Sequence, residues 1–336
     1  MVNVTGNNDI SRMLHTRLLQ GICFKQTILC GSRVFPAGCY KRIQNLLWRN
    51  SLRHMRYVMP EVRFQPLENG AWEILRRDIR SFKKVSIPLV VLQKSVLRPS
   101  VIIATGPSAL EYDWATLINN EKTIFAVNGA SSMLEKYGLK SDFLVVSDHR
   151  FGREGASHIT LAVDQGAKLL LTHEAAASFA MVRPDVLARA ELYLFEKVDR
   201  WYGLPTLGAA RLTTANINSG CPFVLPTEPT TGVGWSRDPM MGVFAGKTVP
   251  FAALQLIVWM GSPSIEIVGM DLGGIGHAYH EDHPTVSHLQ KDYHQYILPS
   301  FGCMAAALST STQRIYNLSP TCPLPKMFFS KKKLSS

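Results

Sequence analysis

The sequence predicts an α/β protein: a Rossmann-like, mostly parallel sheet flanked by helices, with a lid segment and a basic helical N-terminal extension. Three observations predict it. Short apolar runs at Val101–Ala104, Thr123–Val127 and Phe143–Val146 are rich in β-branched residues and too short for helices. Each ends in small or polar residues: Thr105-Gly106-Pro107-Ser108, Asn128-Gly129-Ala130-Ser131 and Ser147-Asp148-His149. Helix-like segments separate them, the rhythm of parallel strands joined by crossover helices. In such sheets ligands bind at the carboxyl ends of the strands, where these loops fall.

In chain order, residues 1–98 form a basic N-terminal extension. They hold 17 Lys and Arg against 5 Asp and Glu, whereas the remainder holds 19 against 20, so the formal charge of +11 is an N-terminal property. Leu46, Leu47, Leu52, Met55 and Val58 fall near helical spacing among Arg42, Arg49, Arg53 and Arg56. Such a helix suits an anionic membrane surface or an acidic glycolipid, and equally packs on its own domain. A helix is expected around Trp72–Phe82 and a strand near Val85–Leu92.

Residues 99–324 form the Rossmann-like domain. After the first three strands, Lys168–Thr172 and Ala190–Phe195 read as the fourth and fifth, with a helix or turn at Met181–Arg189. Residues 199–238 are rich in Gly, Pro, Thr and Asn and read as a structureless lid or binding loop. Pro239–Met260 reads as an apolar helix and Ser264–Met270 as a strand. A His-rich stretch then leads into a helix ending near Leu308, and Arg314–Asn317 reads as a late strand. Residues 325–336 are a basic tail.

The 336 residues are 46% hydrophobic, enough for a packed core. Six cysteines include no CxxC pair, so free thiols in a reducing compartment are expected. The first residues lack the charged-then-apolar pattern of a signal peptide, and Val249–Met260 is too short to cross a bilayer. These features point to a cytoplasmic protein suited to the inner face of the inner membrane.

Four motifs carry chemistry. In ATGPSAL (104–110) a Gly and a hydroxyl follow a strand. Gly106 lets backbone approach a ligand, and Ser108 opens a helix whose N-terminus favours phosphate; a plain tight turn is the competing account. The motif is neither a Walker A loop nor GxGxxG. Asn128 suits a ribose or base, or simply a turn. Ser147 and Asp148, beside His149 and Arg150, suit a polar donor, or cap a helix. The stretch 268–288 holds His277, His280, His283 and His288 near Glu281 and Asp282. It matches no common metal-ligand spacing, so a general base with an acidic partner is expected rather than a metal.

The order of these motifs is recognisable: GPS after the first strand, Asn after the second, a polar third strand end, an apolar helix, then GMDL with Tyr and His. It resembles the bacterial CMP-sugar glycosyltransferases. The chain is similar to the sialyltransferases of mucosal pathogens. Over Val101–Pro320, through VNG, SDHRF, PFAALQ, GMDL and YNLSP, it looks closer to the transferases that add a further Kdo residue to the lipopolysaccharide inner core. Two positions depart from the sialyltransferase pattern, Thr105 where those enzymes carry Asn and Gly273 where they carry a second Tyr.

The resemblance implies a CMP-activated 2-keto sugar acid as donor substrate, a lipopolysaccharide or other glycolipid acceptor, and neither metal nor separate cofactor. It implies that Gly106, Pro107 and Ser108 hold the donor phosphate and ribose. Asn128 and Ser147 contact nucleotide or sugar, with Asp148 beside them, and Thr248 faces the donor carboxylate. Tyr279 stabilises the departing phosphate, and His288 is the base, with His280 and His283 as rivals. A sialyltransferase using CMP-sialic acid is the first alternative. A non-catalytic nucleotide- or RNA-binding protein is the second, though the chain lacks an aromatic-rich binding signature and no nucleic acid is expected.

Overall fold

In a computed structural model of the chain, residues 50–58, 60–118, 121–219, 222–273, 278 and 289–331 are described. The chain divides into two compact units, Met1–Arg56 with Arg200–Thr206, and Tyr57–Asp199 with Leu207–Ser336. Within the first, the His54 ring donates from Nε2 to the Trp201 carbonyl at 2.9 Å, which leaves Nδ1 to accept from the Thr206 hydroxyl at 3.1 Å. The expected basic N-terminal helix lies outside the described residues except for a 3-10 helix at Asn50–Tyr57.

The second unit opens with an antiparallel sheet of β1 (Val62–Pro66), β2 (Trp72–Arg76) and β3 (Lys83–Val85). The helix expected around Trp72–Phe82 is therefore a strand. Pairing decides it: Trp72 to Arg76 align with Pro66 to Val62 across a turn at Asn69-Gly70, and Gly70 adopts φ +82°. Cross-strand pairing overrides the helix propensity of a Glu- and Arg-rich run. The strand expected near Val85–Leu92 ends early, because Pro88 opens a 3-10 turn at Leu89–Leu92.

The main sheet has seven parallel strands. They are β4 (Ser100–Ile103), β5 (Thr123–Val127), β6 (Phe143–Val146), β7 (Lys168–Thr172), β8 (Leu192–Phe195), β11 (Ser264–Val268) and β12 (Arg314–Asn317). Their order is β12-β11-β4-β5-β6-β7-β8. Both faces are covered, so residues of both parities are buried. Ile102, Phe125, Val145, Leu170 and Ile267 join one core, while Val101, Ala126, Leu144 and Leu169 on the other face are equally inaccessible.

The crossover helices are α1 (Ala115–Ile118), α2 (Ala130–Lys136), α3 (His149–Glu154), α4 (Ala156–Asp164), α5 (His173–Val182) and α6 (Pro184–Arg189). The stretch 199–238, expected to be structureless, contains α7 (Ala209–Ser219) and a ribbon of β9 (Phe223–Val224) and β10 (Trp235–Ser236). Beyond it, the expected apolar helix is shorter, α8 (Val249–Trp259), preceded by a 3-10 turn at Pro239–Met241.

One buried amide explains why the ribbon is ordered. Gln255 of α8 is inaccessible; its Oε1 accepts from the backbone N–H groups of Ser236 and Phe244, both at 3.0 Å. Its Nε2 donates to the carbonyls of Phe244 at 2.8 Å and Phe251 at 3.1 Å. All four hydrogen-bonding positions of the side chain are used. Then come α9 (Leu289–Asp292), a π turn at Tyr293–Ile297, α10 (Leu298–Leu308) and β12, followed by a 3-10 turn at Lys326–Phe328. Among the described residues no helix is long and apolar enough to cross a membrane.

Candidate active site

The strand order reverses between β4 and β11, which makes the crevice outside their carboxyl ends the topological switch point. A cleft of about 540 Å³ lies there, lined by Pro107, Ser108, Asp271, Tyr293, His294 and Thr321 among others. The two strand ends approach closely. Gly106 N–H donates to the Gly269 carbonyl at 2.8 Å, and Gly269 adopts φ +73°. A β-carbon on Gly106 would meet Asp271 Oδ2 at 2.4 Å and the Gly269 carbonyl at 2.5 Å.

Asp271 sits against the turn after β4. Its carboxylate accepts from the Ser108 N–H at 2.8 Å, from the Ser108 hydroxyl, and from the Thr321 hydroxyl at 2.7 Å. The element after β4 is a 3-10 helix at Pro107–Glu111, whose first residue has no N–H. The Ala109 N–H returns to the Gly106 carbonyl at 3.0 Å. Its first amide donors are thus satisfied from within, and the missing side chain at Gly106 makes room for Asp271. Sequence reasoning passed over Asp271 as a site residue; a Gly-Met-Asp turn straight after an apolar strand was the available signal.

The opposite wall comes from the π turn. The Tyr293 hydroxyl donates to the Pro323 carbonyl at 2.8 Å, and its ring meets His294 edge-on at 5.0 Å. Burial, with Cys322 adding to it, pushes the Tyr293 phenol up from its ordinary value. Lys247, with φ +58°, sits over the Tyr296 ring at 4.7 Å and 4.0 Å from the Asp292 carboxylate. Thr248 follows as the N-cap of α8, and its side chain makes no capping bond. Because α8 runs antiparallel to the strand that follows it, Thr248 lies at the carboxyl edge of the sheet.

Asn128 directly follows β5 and adopts the left-handed region, φ +50°. Its N–H donates to the Val145 carbonyl of β6 at 3.2 Å, while its buried Oδ1 has no hydrogen-bond partner. A buried acceptor left open at a strand end is suited to a ligand's donor or to ordered water. Asp148, on the next strand end, caps α3 through the Arg150 N–H at 2.9 Å and holds the Arg150 guanidinium at 2.7 Å. Burial acts to raise its carboxyl, but the Arg150 hydrogen bonds outweigh that and hold it below the ordinary value. Asp148 thus caps the helix that follows the third strand end. Ser147 offers its carbonyl to the Thr172 hydroxyl at 3.3 Å.

Further along the same edge, two acid-base pairs went unnoticed in the sequence because their members are far apart. Lys197 Nζ donates to Glu174 Oε2 at 2.7 Å, both side chains nearly inaccessible, and His173 Nδ1 lies 3.0 Å from Glu196 Oε1. The catalytic residues suggested by the motif order, Tyr279, His280, His283 and His288, lie outside the described residues; Ala278 is described, and its N–H donates to the Thr105 carbonyl at 2.8 Å. Among the described residues no group of three His, Cys, Asp or Glu could hold a metal ion.

No known family profile and no curated protein matches the sequence. Several solved structures do. One is the MAf glycosyltransferase from Magnetospirillum magneticum AMB-1, at 15% identity over 69% of this chain, with a TM-score of 0.36. The match spans 33% of that protein, so the chain corresponds to about a third of its length. Another is the sialyltransferase CstII from Campylobacter jejuni, solved with cytidine-5'-monophosphate, at 15% identity over 71% of this chain and 89% of that one, with a TM-score of 0.36. A CstII structure with a trisaccharide acceptor and CMP matches at 13% identity over 70% and 89%, with a TM-score of 0.35. Likeness at this level carries no argument about chemistry.

Proposed function

We propose that the protein is a glycosyltransferase that takes a 2-keto sugar acid from a CMP donor, either Kdo or sialic acid, and delivers it to the lipopolysaccharide core or a related glycolipid. The two donors share their chemistry: a cytidine monophosphate leaving group, a carboxylate beside the anomeric carbon, and a ketosidic bond to phosphate. The observation that carries the reading is Asn128. It is left-handed, one strand from the switch-point cleft, with a buried amide oxygen that accepts nothing. That oxygen is suited to a ribose hydroxyl or to the cytosine amino group.

The remaining roles follow from charge. Because Asp271 already satisfies the turn after β4, Gly106, Pro107 and Ser108 serve as a wall for the nucleoside rather than as a phosphate cradle. The donor's anionic groups are better placed toward Thr248 and Lys247, where an open hydroxyl and a cation precede the N-terminus of α8. Ser147 faces the sugar, and Asp148 acts through the helix it caps. Tyr279 donates to the phosphate as it leaves with CMP, sharing its growing charge. No metal or separate cofactor takes part in this reading, and the acceptor side is suited to an anionic membrane surface.

The test is to follow CMP release from CMP-Kdo and from CMP-N-acetylneuraminic acid, each with deep-rough lipopolysaccharide. Release from one donor that requires acceptor supports the reading and identifies the sugar. Acceptor-independent background with both would sink it.

A further inference from the structure

We propose that His149 is the general base of this reaction and that the carboxyl ends of β6 to β8 form the acceptor half of the site. The inference rests on the CMP-sugar transfer reading and takes the base role from His288, His280 and His283. His149 opens α3, with Ser147 and Asp148 between it and the end of β6, while the cleft at β4 and β11 lies two strands away. Two strand spacings are about 10 Å, within reach of a nucleotide sugar, and Asn128 stands on the strand between.

The ring is held in place from two sides. It stacks on Tyr57 at 4.0 Å between centroids, and its Nδ1 lies 3.4 Å from Asp148 Oδ1. Asp148 thus stands on the Nδ1 side of the ring, and proton transfer is assigned to Nε2. Four charged groups act on it: Asp148 and Arg150 from its own segment, Glu174 from α5, and Lys197 after β8. A second, independent observation points to a ligand at the same edge. Glu174 is only 7% exposed, and while its Oε2 takes Lys197, its Oε1 has no hydrogen-bond partner. A buried carboxylate oxygen without a donor suits a second hydroxyl of a sugar acceptor.

The step balances simply. The acceptor hydroxyl gives its proton to His149 Nε2 while its oxygen bonds to the anomeric carbon of the donor. The bond from that carbon to the phosphate oxygen breaks, and CMP departs with the electron pair. The imidazolium formed is countered by Asp148. Burial lowers the His149 pKa from its ordinary value, with Asp148 opposing, which keeps the ring neutral and able to accept a proton at neutral pH.

The experiment compares wild type with His149→Gln and His149→Phe, the second keeping a ring on Tyr57. CMP affinity is read by calorimetry, and turnover by CMP release with lipopolysaccharide acceptor across pH 5 to 9. Both variants are expected to bind CMP within about threefold of wild type and to lose about 100-fold or more in kcat. The acidic limb of the wild-type pH profile should vanish from their residual activity. A loss in kcat below tenfold, a limb that persists in the variants, or loss of CMP binding along with turnover would overturn the assignment. A wild type that neither binds CMP nor turns over defeats the parent reading before any variant is made.

Discussion

The carboxylate of Asp271 occupies the space that a side chain on Gly106 would need, with Oδ2 only 2.4 Å from where a β-carbon would stand. This contact joins the turns after β4 and β11 and sets the floor of the switch-point cleft. Gly106→Ala must displace both that carboxylate and the Gly269 carbonyl, 2.5 Å away. Urea unfolding should show a loss of about 1–3 kcal/mol.

Asp271→Ala removes the acceptor for Ser108 and Thr321. The Ser108 N–H is then left at the start of a short helix without its anion, and a cost of about 1–3 kcal/mol is expected from unfolding midpoints. Asp271→Asn, which keeps one acceptor oxygen, should lose less.

Gln255 ties the ribbon of β9 and β10 to the core through four hydrogen bonds. Gln255→Leu keeps the volume but strands the N–H groups of Ser236 and Phe244 and takes a donor from the Phe244 carbonyl in an apolar interior. The expected loss is about 3 kcal/mol or more, with limited proteolysis opening first within residues 222–244.

Lys197→Met leaves Glu174 charged and buried without its partner, for which about 3–5 kcal/mol is expected. Adding Glu174→Leu to that variant should recover much of the stability, which a double-mutant cycle would measure.

His149 gives a pH dependence with a definite sign. Burial disfavours its ionised form, so the unfolded chain binds the proton more readily than the folded one. The stability it contributes is complete above its ordinary value of 6.5 and declines as pH falls through that value toward the lower folded pKa. Asp148 titrates below its own ordinary value of 3.8, outside this window. Unfolding midpoints from pH 7.5 to 5 should therefore fall more steeply for wild type than for His149→Gln.

The parallel strands were legible because their apolar runs, such as Phe143–Val146, end abruptly in polar loops, and burial on both faces demands such runs. The β1 to β3 sheet was not, since Trp72–Arg76 carries helix-forming residues and its identity is settled by pairing with Val62–Pro66. The stretch 199–238 misled for a similar reason: its order at Ser236 depends on an amide 19 residues further along the chain. Single strand ends could be read, hence the loops that begin at Asn128 and Ser147. Partnerships across the sheet could not, hence Asp271 with Ser108 and Lys197 with Glu174. No local pattern announces a contact between residues brought together only by strand order.

Calorimetry tests for a CMP site at the carboxyl ends of β4 and β5. CMP, AMP and UMP are titrated into wild type and Asn128→Ala. Selective binding of CMP is expected, weakened at least tenfold by the substitution, a loss of about 1.4 kcal/mol. Equal affinity for the three nucleotides, or CMP binding indifferent to Asn128, would contradict it.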